Sequence, residues 1–211
     1  MAEETPFSIF ADFIQGSDKE DYFVDENEIL LNILLNHAAD KWEISPDQID
    51  LNMDKIAFHE SKYGTKMYTP EQIGGGPGRG LFQFEKNVEG KGQGGANTAI
   101  NRLIDEISLN HEDVDIPEWV WNLSESDYDV SKLSPEQQKI IFLGNLLQKP
   151  ERGANYVSAS FKGVDTDEEL AAYWAQHHQA GTIIDTDEYK NIINKFTEDL
   201  NEGYRQGLLE E

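Results

Sequence analysis

The chain has 211 residues, of which 41 are acidic and 17 basic, giving a formal net charge of −24. It is long enough to bury a substantial core, and 38% hydrophobic with 10% aromatic residues marks a globular rather than a disordered chain. Repulsion by so acidic a surface excludes nucleic acid as the main partner; no apolar run has the length of a membrane span; the lack of cysteine excludes disulfides and thiolate metal sites.

Residues 1–24 read as an acidic extension carrying an apolar cluster of Phe7, Ile9, Phe10, Phe13 and Ile14, either packed on the domain or ordered by a partner. They lack the basic and apolar runs of a secretory signal. Residues 25–211 read as one mainly α domain. Asp25 and Glu28 predict a capping box for a helix through about Trp42, with Leu30, Leu31, Leu34, Leu35 and Ala38 on its inner stripe. Ser45-Pro46-Asp47-Gln48 is a second helix start, with proline at the first helical position. From it Ile49, Met53, Ile56 and Glu60 fall at steps of four, three and four, so one stripe carries three apolar residues and then a carboxylate. A carboxylate on a core-facing stripe is costly to ionise, which predicts a raised pKa. The plain alternative for Glu60 is a helix-end residue that reaches solvent or pairs with Arg79.

At most a small β-hairpin is expected, around Thr65 to Ile73, and Gly74 to Gly80 reads as a glycine-rich loop without regular structure. It is not a phosphate loop, because Arg79-Gly80 is followed by Leu81, and His59-Glu60 starts no zinc-protease motif, because Tyr63 stands where the second histidine belongs. No metal or cofactor is expected. Further helices follow over Ala99 to Ile107, from Ser134-Pro135-Glu136-Gln137 to Pro150, from Thr166 and Glu169 to Gly181, and from about Asp187 to Arg205. Trp119 and Trp121 fall near a surface.

Glu60-Ser61, followed after the glycine loop by Gly80-Leu81-Phe82-Gln83-Phe84, resembles the signature of the lysozyme-like lytic transglycosylases, the superfamily of soluble lytic transglycosylases and goose-type lysozymes. The resemblance is specific over Ile56 to Glu85. It implies a lysozyme-like helical fold and cleavage of peptidoglycan glycan strands, with Glu60 as the catalytic acid and then base. Ser61 matches the serine that hydrogen-bonds the acid or the substrate, and Gly80, Leu81 and Gln83 match the segment across the cleft. Gln83 would read an acetamido group; alternatively it only braces the glycine loop. The family's later tyrosine element is matched loosely by Ala171-Ala-Tyr173-Trp174, without its asparagine, which makes Tyr173 the candidate to orient the acid and His177 and His178 its rivals.

The resemblance is also compatible with a phage virion protein that opens the host envelope from the periplasmic side, with the acidic extension docking to other virion proteins. Two competing readings are a structural virion protein that keeps an inactive fold, and a hydrolytic muramidase in which Glu71, Glu85 or an aspartate activates water.

Overall fold

A computed structural model describes residues 25–65, 68–72, 76–87, 95–123, 127–148, 160–177 and 186–209. The acidic extension, His178 and Gly181 lie outside these residues. Seven α-helices and one two-stranded sheet form among them, so the fold is mainly α.

Helix α1 spans Glu26–Trp42, and Asp25 caps it by accepting the Asn27 amide at 2.9 Å rather than through the expected box with Glu28. Helix α2 spans Pro46–Ser61 with Ser45 as its cap, accepting the Gln48 amide at 3.1 Å. The Gln48 side chain does not return to the cap; it donates to Asn52 Oδ1 at 3.0 Å. Strands β1 (Gly78–Arg79) and β2 (Phe84–Glu85) pair antiparallel, and Glu71 adds an isolated bridge to Arg79. The hairpin therefore sits later than Thr65 to Ile73 and uses the end of the stretch expected to be irregular. Its turn needs left-handed residues, which Gly80 at φ 74° and Gln83 at φ 50° supply.

Helices α3 (Gly95–Asn110), α4 (Glu118–Leu123) and α5 (Pro135–Leu147) follow, the last opened by a complete capping box between Ser134 and Gln137. Helix α6 (Asp167–His177) begins at a reciprocal pair: Thr166 accepts the Glu169 amide at 3.3 Å, and Glu169 accepts the Thr166 amide at 3.0 Å. Helix α7 is Asp187–Arg205.

One apolar cluster runs from Leu30 in α1 to Leu200 in α7. Helices α3 and α5 cross closely at Gly144, where a Cβ would stand 2.6 Å from Leu103 Cδ1 and 3.1 Å from its Cα. Trp119 packs against the core and donates to Asn27 Oδ1 at 3.0 Å, while Trp121 is 50% exposed.

Helix α2 is buried around most of its circumference, so polar residues on it need partners. Asn52 donates to Val164 O at 3.0 Å, and Lys55 pairs with Asp167 at 2.7 Å, beside the Tyr204 hydroxyl on the same carboxylate. Lys139 of α5 reaches Asp50 and Asp54, each at 2.8 Å. These bonds fix α2 against α5, α6 and α7. Its C-terminal end carries Glu60.

Candidate active site around Glu60

Ile49, Met53 and Ile56 are fully buried, and the stripe they define ends on the Glu60 side chain, which is 24% exposed. Burial pushes the Glu60 carboxyl above the ordinary glutamate range. Nearby His59, the indole of Trp174, Lys195 and Lys62 pull in the opposite direction without outweighing it. The negative end of the α2 dipole acts with burial. A carboxyl whose proton affinity is raised by burial, yet which solvent still reaches, suits general acid catalysis.

The groups around it come from three helices. Trp174 Nε1 of α6 donates to Glu60 Oε1 at 3.1 Å. His59, one residue before Glu60, places Nε2 3.9 Å from the same oxygen, beyond hydrogen-bond range. The other ring nitrogen, Nδ1, lies 2.9 Å from Asp199 Oδ2 of α7, and Lys62 pairs with Asp199 Oδ1. Burial raises Asp199, but the bonds from His59 and Lys62 prevail and hold it below the usual carboxylate range. An ionised Asp199 thus orients His59 beside a Glu60 that resists ionisation. Two carboxyls near one imidazole, only Asp199 bonded to it, thus shift in opposite directions in proton affinity.

The glycine-loop segment is tied to the same helix end. Thr69 N–H donates to Ser61 O at 3.4 Å, and Gly80 N–H to Pro70 O at 2.8 Å. Gln138, 3% exposed, accepts the Leu81 amide at 2.7 Å and donates to Leu133 O at 3.0 Å. Phe82 stacks on Phe142 of α5 with centroids 4.1 Å apart and planes at 12°. Arg79 does not pair with Glu60; its guanidinium donates to the carbonyls of Gly76 and Gly78 at 2.8 and 2.7 Å.

Of the residues singled out from the sequence, Glu60 and Gln83 remain partly exposed. The Gln83 amide donates to Gly80 O at 2.7 Å, and its Oε1 is enclosed beside Gly78, so in this state it braces the loop. The Ser61 hydroxyl is buried and donates to Ala57 O at 2.8 Å within α2. Leu81 is a core residue at 1% exposure, and Gly80 contributes its backbone conformation. Tyr173 packs edge-on against Phe161, 4% exposed, where burial pushes its hydroxyl pKa far up. Successive helix residues diverge by about 100°, so when Tyr173 turns to Phe161 it is Trp174 that meets Glu60. Nothing local in the sequence marks Trp174 or Asp199 as site residues, because they lie 114 and 140 positions from their partners.

Gly80 is a tight point of this assembly. A Cβ there would lie 2.2 Å from Gln138 Oε1, the atom that holds Leu81, at a φ that side chains disfavour. Gly80→Ala should therefore lower unfolding free energy by about 1–3 kcal/mol, measurable by urea denaturation, whereas Gly163→Ala, with open space around it, should show only the smaller backbone cost.

The chain matches no protein-family model, and neither a curated protein nor a solved structure shows significant similarity to it.

Proposed function

We propose that the protein cleaves peptidoglycan glycan strands as a lytic transglycosylase, with Glu60 as its single acid–base group. The observation that carries the reading is the state of Glu60: a desolvated, raised-pKa carboxyl at a helix end, hydrogen-bonded by Trp174 and left partly accessible. Neutral Glu60 protonates the glycosidic oxygen as the bond to the muramic anomeric carbon breaks. The resulting carboxylate takes the proton of the muramic carbon-6 hydroxyl as its oxygen bonds to that carbon, closing an anhydro ring and restoring the neutral acid. Trp174, His59, Lys62 and Lys195 each favour the ionised form that the second step uses. Asp199 is engaged by His59 and Lys62, which argues against that aspartate as a base activating water.

The test is release of soluble muropeptides from purified sacculi, across wall types and salt concentrations. Release by the wild-type chain is expected; none under any condition would overturn the proposal and favour an inactive structural role.

Trp174→Phe separates tuning from packing. The indole bond stabilises ionised Glu60, so its loss should raise the Glu60 pKa and move the alkaline limb of the rate profile to higher pH. Maximal rate should fall about tenfold or more, the scale of one hydrogen bond to a charged group. Lost core packing alone would lower the melting temperature without moving that limb.

A further inference from the structure

Away from Glu60, three potential ligands converge. His37 of α1, Glu106 of α3 and His111 just beyond α3 direct His37 Nδ1, Glu106 Oε1 and His111 Nε2 at one another. Their separations are 2.8 Å for His37–Glu106, 3.2 Å for His111–Glu106 and 3.2 Å between the two imidazoles. The rings meet edge-on at 75°, so both lone pairs can point to one locus.

Glu106 is fully buried, and a buried carboxylate requires compensation. Its Oε2 has it, accepting from Asn110 at 3.1 Å and Gln148 at 2.8 Å. Its Oε1 has no hydrogen bond of acceptable geometry, although it points at both histidines. Two imidazole N–H groups could in principle share Oε1, but neither ring nitrogen is aligned to donate to it. A metal ion satisfies all three atoms. Zinc with bonds of about 2.0–2.1 Å in a tetrahedron holds its ligands about 3.3 Å apart, close to the observed triangle. Two histidines and one glutamate form a recognised zinc donor set with one position left open, and the amides on Oε2 are the outer partners such a ligand needs. His111 also lines a cavity of about 670 Å³ together with Glu112, Asp115 and Trp121.

We propose that His37, Glu106 and His111 bind one divalent transition-metal ion of the zinc class, clamping α1 to the end of α3 beside this cavity. The chain's negative charge favours cation uptake. Sequence reading, which expected no metal, has no signal for this site, because His37 and His111 lie 74 positions apart.

The test is calorimetric titration of the tag-free, chelator-stripped full chain with zinc chloride, paired with visible absorption of the cobalt(II) form. One equivalent should bind with a dissociation constant of about micromolar or tighter, cobalt should give the intense bands of a tetrahedral N/O site, and zinc should raise the melting temperature. His37→Gln, at a partly exposed position, should melt near the metal-free wild type yet bind about a hundredfold more weakly or worse, as should His111→Gln. Glu60→Gln should bind zinc like wild type, which keeps this proposal separate from the glycan reading. No stoichiometric binding, or undiminished affinity in both histidine variants, would overturn it.

Discussion

Glu60→Gln should reduce release of muropeptides by about a hundred- to ten-thousand-fold, the usual cost of losing general acid catalysis, and should at the same time make the folded chain more stable at neutral pH. The second effect follows from linkage. Burial places folded Glu60 above its unfolded value, so between those two values the folded chain holds more protons than the unfolded one, and stability falls as pH rises through that window. The substitution removes this loss while an amide oxygen can still accept from Trp174. The variant should therefore melt above wild type at pH 7–8 and converge with it below about pH 4.3, the ordinary glutamate value. Thermal melts across pH check the sign without any substrate. A variant less stable than wild type at pH 8 would mean that ionised Glu60 is stabilised by its neighbours, and the acid assignment would lose its physical basis.

Phe142→Ala should have the largest effect on stability, about 3–5 kcal/mol for emptying a fully buried aromatic position. Phe142 lies on α5 beneath the stacked Phe82, so the cavity opens directly under the Gly80–Gln83 turn. Activity should fall even at temperatures where the variant remains folded, because the turn loses its seat while Leu81 stays bonded to Gln138. Urea denaturation with parallel sacculus digestion distinguishes this from simple unfolding. Phe142→Leu should recover most of the stability, and recovery of activity with it would tie the turn's position to the packing.

What was legible in the sequence was local. Ser45, Pro46 and the four-three-four spacing of Ile49, Met53, Ile56 and Glu60 specify a capped helix whose buried stripe ends in an acid, and burial raises that acid as the stripe predicts. Glycine at Gly80 was legible as special and a small hairpin was expected, but its position was not legible, because two-residue strands leave no alternating pattern. The companions of Glu60 were hidden for a different reason. Choosing Trp174 over Tyr173 depends on the rotation of α6 about its own axis, which follows from Tyr173 packing against Phe161 rather than from either residue's type. Asp199, Lys62 and His59 meet only because α7 returns along α2. The convergence of His37 with Glu106 and His111 likewise depends on the placement of α1 against the end of α3.

The central claim, that Glu60 alone carries both proton transfers of a transglycosylation, is tested most directly by mass spectrometry of muropeptides from sacculi digested with the wild-type chain and with Glu60→Gln. Wild type should yield anhydro-muropeptides and the variant essentially none. Reducing muramic ends from wild type, or anhydro products formed by the variant at the wild-type rate, would contradict it.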